Sequence, residues 1–189
     1  MNQTTTKSVR SQRTLEMTFI AIFVVLIAVC GWISIPTAVP FTLQTFAVSM
    51  TVLMLGGRRG TIALTTFILL AAIGVPVLSG FSGGLGVLLG PTGGYIFGWL
   101  ALSLEYWLIT KLAGDTLPVR LIAILLGMVT LYVFGTIWFF KVYTAGGDAI
   151  TMHDAIMWCV VPFMIPEVIK QVLAFTLSAR LRSHMHLDD

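Results

Sequence analysis

"GVPVLSGFSGGLGVLLGPTGGY", residues 74–95, decides how the rest of this chain is read. It holds eight glycines and two prolines, Pro76 and Pro91, and no charged residue. Glycine and proline are the two poorest helix formers, so the stretch is irregular, yet nothing in it anchors it in water. Its surroundings are just as free of charge. No Asp, Glu, Lys or Arg occurs from Met17 to Gly57, from Gly60 to Leu104 or from Leu121 to Phe140. Over all 189 residues, 57% are hydrophobic and 10% charged, against roughly 25% charged in a soluble domain. Apolar runs of about 20 residues cross a hydrocarbon core about 30 Å thick. The chain reads as an all-α polytopic membrane protein.

Six spans fit the pattern, near 15–34, 42–57, 59–75, 93–112, 119–140 and 155–180, in a single transmembrane domain over 1–189 with a cytoplasmic segment at 1–14. The second and third are short and are parted by the tight basic turn "GGRR" at 56–59; Gly56 and Gly57 suit the C-terminal end of a helix. Lys7, Arg10 and Arg13 precede the first apolar run as they would in a secretory signal. That run, Met17 to Ile35, exceeds the roughly 7–15 residues of a signal core and no A-x-A cleavage site follows, so a retained span is expected. An even number of spans puts both termini on one side. Nine of the eleven Lys and Arg fall in the N-terminal segment, the 57–60 turn, the 111–120 loop and the C-terminal tail; Lys141 stands alone in the opposite loops and Lys170 lies inside a span. The positive-inside rule then places both termini in the cytoplasm.

The outer loops become 35–41, 76–92 and 141–154, so the glycine-rich stretch faces outward. Nine of the 18 glycines lie between Gly74 and Gly98. Irregular backbone at membrane depth is tolerated only where it is buried in protein or lines a cavity, and glycine allows backbone to approach a ligand closely. The expectation is a loop folded back over a pocket between helices. Gly86, Gly90, Gly94 and Gly98 also repeat at the four-residue spacing of close helix packing. Pro91 interrupts a continuous helix, which leaves Gly94 and Gly98 as the packed face.

Composition excludes several functions. The net charge of +3 comes from basic residues flanking apolar runs, without the clustering on one face that nucleic-acid binding requires. Cys30 and Cys159 sit in apolar segments, where a thiol packs as a small hydrophobe, and lack the paired spacing of a metal site. No G-x-x-x-x-G-K-[ST], H-E-x-x-H or G-x-S-x-G occurs, so neither ATP-driven uptake by this chain alone nor catalysis is expected, and no metal or cofactor is. His184 and His186 fall in the tail, Asp148 in an outer loop, and His153–Asp154 reads as a helix start. Glu105 is expected to pair with Lys111 or to snorkel.

One pair of charges is not explained by topology. In "PFMIPEVIKQVL", 162–173, Glu167 and Lys170 share a helix face, and Lys170 lies ten residues, about 15 Å, from the basic end at Arg180. Ionisable groups near mid-membrane cost at least about 2.5–3.5 kcal/mol each unless paired or wetted, and mark functional sites; a purely structural pair is the competing reading. Gln44 just inside the second span and Tyr95 at the start of the fourth add neutral polar groups. One acid, one base and a neutral glycine loop suit a small neutral or zwitterionic solute with an apolar body.

These stretches resemble a known family. "VPFTLQTFAV" (39–48), "GVPVLSGFSGGLGVLLGPTGGYIFGW" (74–99) and "PEVIKQVLA" (166–174) look like BioY, the biotin-binding S component of energy-coupling factor (ECF) vitamin transporters, over roughly residues 10 to 180. The resemblance implies six helices and biotin held near the outer face, with Gln44 from the P-x-T-L-Q motif. It implies that Ser79, Gly83, Gly84 and Thr92 form the closing loop, with Tyr95 beneath it and Lys170 on the ligand. Glu167 stands where the family motif has Asp, one methylene longer. Phe81 replaces a usual glycine, and the small residues four apart on the first helix that serve docking are missing, since Ala21 and Ala28 are seven apart. The implied partners are biotin, a membrane-embedded coupling subunit with two ATP-binding-cassette ATPases, and the bilayer of a prokaryotic cell. Trp32, Trp99 and Trp158 are candidate walls for the bicyclic ring or interfacial belt residues. The alternatives are an S component for another vitamin and an intramembrane enzyme.

Overall fold

The computed structural model describes residues 3–182 apart from 38, 148 and 149, with side chains from Gln12 onward. Asp148, His184, His186 and the side chains of Lys7 and Arg10 lie outside the described residues. The order is α1 (Gln3–Trp32), β1 (Ser34–Ile35), β2 (Phe41–Thr42), α2 (Gln44–Ala72), the single turn α3 (Leu85–Leu88), α4 (Gly93–Ala113), α5 (Leu117–Ala145), α6 (Met152–Cys159) and α7 (Met164–Leu181). β1 and β2 pair antiparallel, Ser34 opposite Thr42 and Ile35 opposite Phe41.

Among the described residues, five stretches are long and apolar enough to cross a membrane: Gln12–Trp32, Gln44–Ala72, Gly93–Ala113, Leu117–Ala145 and Met152–Leu181. The expected second and third spans fall together in α2. Inside α2, however, Gly56 has φ 76° and ψ 170°, a left-handed conformation open to glycine and costly for residues with a Cβ. A Cβ added at Gly60 would lie 3.0 Å from the Cα of Val52, although eight residues of straight helix span about 12 Å. The chain therefore doubles back at Gly56, and both arms enter the core, with Leu53, Leu64 and Phe67 enclosed.

α4 and α5 meet through glycine. A Cβ at Gly98 would come within 2.6 Å of Leu131, and one at Gly127 within 2.7 Å of Leu102; at Gly94 it would overlap Trp138 and at Gly135 the ring of Tyr95. Close approach of two helix backbones is what small residues provide in a bilayer, where no hydrophobic drive brings helices together. The expected glycine face at Gly94 and Gly98 is thus present, with a second one on α5. Outward faces carry large apolar side chains such as Val25, Val129 and Ile165, 60%, 61% and 77% exposed.

The last span is broken. α6 opens with a capping box, Thr151 Oγ1 accepting from the Asp154 N–H at 3.2 Å and Asp154 Oδ2 from the Thr151 N–H at 2.8 Å, the helix start expected of Asp154. A 3-10 turn at Val161–Phe163 follows, and α7 begins anew at Met164.

The basic loops gather at one end. Arg59 pairs with Glu16 at 2.8 Å, and Asp115, between α4 and α5, takes Arg120 at 2.6 Å and also Arg182. Burial alone would raise the Asp115 carboxyl, but the hydrogen bonds from Arg120 and Arg182 hold it below its ordinary value. Glu105 differs from expectation: it turns into the α4–α5 interface and accepts from Thr130 Oγ1 at 2.8 Å, while Lys111 is exposed. At the opposite end Trp32 holds the glycine-rich loop, its Nε1 donating to the Pro76 carbonyl at 3.0 Å and its ring stacking on Phe81 at 5.0 Å.

Candidate functional site

The break before α7 puts Glu167 in the first turn of a helix and Lys170 three residues on, with 4% and 5% of their surfaces exposed. Such burial is sustainable only if every charge finds partners. Lys170 Nζ donates to Glu167 Oε2 at 2.7 Å, to Thr45 Oγ1 at 2.6 Å and to the Thr42 carbonyl at 3.2 Å, which uses all three ammonium donors, and it lies 5.0 Å from the Phe41 ring centre. Glu167 Oε2 also accepts from Thr45 Oγ1 at 3.0 Å and Tyr132 Oη at 3.2 Å, and Oε1 from Gln171 Nε2 at 2.8 Å. β2, the start of α2, α5 and α7 converge on one ion pair.

That pair borders a small cavity of about 80 Å³, partly open at its mouth, tighter than the roughly 300–1,000 Å³ usual for small-molecule sites. Gln44, Ser79, Thr92 and Tyr95 border it too, so six of the eight residues singled out from sequence come together. Gln44 starts α2; a side chain at Gly31 of α1 would overlap its amide, so glycine there lets α1 close on it. The Gln44 Nε2 is buried without an acceptor. Tyr95 is fixed by a 2.9 Å hydrogen bond with Thr136 and stands edge-on to Tyr132 at 6.2 Å. Ser79 begins a short turn whose carbonyl accepts from Ser82 Oγ at 2.7 Å, and Thr92 ends the loop at the start of α4.

Gly83 and Gly84 do not border the cavity. Gly83 is pressed on the Val75 carbonyl, where a Cβ would collide. Gly84 has φ 94°, and its N–H donates to the Ala71 carbonyl at 2.7 Å. Their glycine requirement comes from docking the loop on the end of α2. Among the three tryptophans, Trp99 is 5% exposed, borders the cavity and leaves its Nε1 without an acceptor. Trp32 and Trp158 are 39% and 43% exposed and lie outside its lining. Cys30 and Cys159 are buried free thiols, and Cys159 is part of the wall.

Sequence reasoning missed Thr45 and Tyr132. Thr45 adjoins Gln44 in the same motif and its neighbourhood was a usable signal. Tyr132 lies in a charge-free span, and only the fold brings it to a carboxylate 35 residues away.

The profile of the BioY family matches residues 1–186. The chain belongs to the BioY family. A probable biotin transporter BioY of Pyrococcus horikoshii is 33% identical over 171 residues, covering 89% of this chain and 97% of that protein. The biotin transporter BioY of Thermotoga maritima is 38% identical over 162 residues, 85% of this chain and 92% of that one. Among solved structures, the S-component for biotin from an ECF-type ABC transporter superposes with a TM-score of 0.79 at 30% identity, over 92% of this chain and 93% of its own. The BioY-like stretches of the sequence all reach the one cavity: 39–48 supplies Val39, Gln44 and Thr45, 74–99 supplies Ser79, Thr92, Tyr95 and Trp99, and 166–174 supplies the ion pair.

Proposed function

We propose that this cavity binds biotin, and that the chain is the substrate-capturing S component of an ECF-type transporter in a prokaryotic cell membrane. The observation that carries the reading is a buried Glu167–Lys170 pair bordering an otherwise largely apolar cavity. Biotin matches that pattern: a ureido ring with two N–H donors and one carbonyl, an apolar bicyclic body, and a carboxylate on a flexible tail. Glu167 accepts one ureido N–H, Gln44 and Trp99 supply donors that lack acceptors within the protein, and Val39, Leu78 and Phe163 line the apolar body. Ser79 and Thr92 lie in the loop that closes the site, with Tyr95 beneath it. Membership of the BioY family, and relatives named as biotin transporters, support the same ligand.

Six spans are proposed, with α2 counted as two crossing arms about Gly56, which returns both termini to the basic, cytoplasmic end. The chain acts without catalytic residues of its own and lacks a phosphate-binding loop, so the energy comes from partners: a transmembrane coupling subunit and two ATP-binding-cassette ATPases. Radiolabelled biotin added to the purified protein in detergent tests the reading. Saturable binding that unlabelled biotin displaces and riboflavin or thiamine does not is expected. Displacement by another vitamin, or no saturable binding, would overturn it.

A further inference from the structure

We infer that Gln171 is a positioning residue for the ligand, acting through the Glu167 carboxylate from outside the cavity; the inference rests on the cavity being the biotin site. Gln171 does not border that cavity. It lies instead in a second, outward-facing groove between α5 and α7, walled by Leu125, Met128, Val129, Val168 and Val172. Glu167 and Tyr132 alone border both spaces, so the carboxylate is part of the partition between the binding cavity and an apolar exterior. From the groove side, Gln171 Nε2 donates to Glu167 Oε1 at 2.8 Å.

Two features separate this from simple packing. First, the other amide atom, Gln171 Oε1, is buried with no donor. A buried orphan polar atom in an apolar groove is a standing penalty, and an unbranched apolar side chain of equal length would remove it. The position therefore sacrifices stability to keep its N–H. Second, the donors are unevenly shared. Glu167 Oε2 accepts from three groups, Lys170, Thr45 and Tyr132, whereas Oε1 accepts from Gln171 alone. A carboxylate has about two acceptor positions per oxygen, so Oε1 is the atom with an acceptor position to spare. One hydrogen bond from behind sets the plane of the carboxylate and hence the direction of that open position.

The test uses the full chain in detergent with biotin as probe. Gln171→Met keeps length and removes the donor. It is expected to weaken biotin binding about tenfold, the lower end for a hydrogen bond to a charged group, while the melting temperature stays level or rises. In a Glu167→Gln background the same substitution is expected to have no further effect on affinity. Gln171→Asn, too short to reach Glu167, repeats the affinity reading if the Met variant does not fold. Parental affinity in either variant, an equal loss in the Glu167→Gln background, or a fall in melting temperature without loss of affinity would overturn the proposal. Failure of the unsubstituted chain to bind biotin would instead overturn the site reading beneath it.

Discussion

Lys170 is held by a carboxylate, a hydroxyl, a backbone carbonyl and an aromatic face, a set of partners that only an amine deep in the fold would need. A pair this well satisfied could be structural, because a buried ion pair is a weak source of stability and apolar replacements often match it. The two roles part on mutation. Lys170→Met is expected to weaken biotin binding about ten- to a hundredfold, because Glu167 loses the charge-assisted hydrogen bond that holds it, worth about 1.5–3 kcal/mol, as read by titration. Tyr132→Phe removes one of three donors to Glu167 Oε2, an aromatic hydroxyl in direct contact with the cavity. A smaller loss, about fivefold for a net hydrogen bond near 1 kcal/mol, is expected in the same titration. Equal affinity in both variants would return the pair and its partners to a structural role. At this scale the sequence was informative for Glu167, Lys170 and Gln44, because charge or amide in an apolar run stands out. It was silent on Tyr132, whose hydroxyl is unremarkable until α5 is packed against α7. For Gly83 and Gly84 ligand approach was the expectation, but neither borders the cavity, and loop-to-helix docking calls for the same residue.

Among the elements, the α4–α5 seam and the glycine-rich loop carry different kinds of stability. Gly94→Val would drive a branched side chain into Trp138 of α5. Overpacking of this kind costs typically about 1–3 kcal/mol, so a lower melting temperature and poor yield are expected, and a parental melting temperature would show that the seam can open. The loop is fastened by two tryptophans: Trp138 Nε1 donates to the Gly90 carbonyl at 3.0 Å, and Trp32 bonds Pro76 and stacks on Phe81, a residue that itself sits at φ 54°. Trp32→Ala is expected to speed biotin dissociation more than it lowers the melting temperature, measured by chasing bound label with cold biotin. An unchanged off-rate would detach the loop from ligand retention. Helix existence was readable from charge-free runs, and the break near residues 160–163 from Pro162 and Pro166. The turn at Gly56 that parts the two arms of α2 was readable too, from the tight basic stretch "GGRR" at 56–59.

For the whole molecule, the basic loops and the cavity lie at opposite ends. The basic end is tied by Asp115 to Arg120 and Arg182, joining the α4–α5 turn to the end of α7. Because those arginines hold the Asp115 carboxyl below its ordinary value of 3.8, its contribution to stability is complete above that value and is lost as the pH falls through the lower, folded one. A melting temperature that drops less between pH 6 and pH 3 in Asp115→Asn than in the parent is expected, at about those two pH values bracketing the window. The proposed orientation follows from the same asymmetry in Lys and Arg, with the glycine-rich loop outside. The helical membrane fold with its long apolar stretches and the Glu167–Lys170 ion pair beside the cavity were legible in the sequence. The encounter of four chain segments at Glu167 was not, since it depends on a hairpin, a helix reversal and a broken span acting together. The central claim is that the cavity at Glu167 and Lys170 is the biotin site. Its most direct test is calorimetric titration of biotin into the parent and into Glu167→Leu/Lys170→Met, both checked for folding by melting temperature. Saturable one-to-one binding in the parent and none in a double variant that melts at or above the parental temperature is the predicted result. Tight biotin binding by the folded double variant would contradict it.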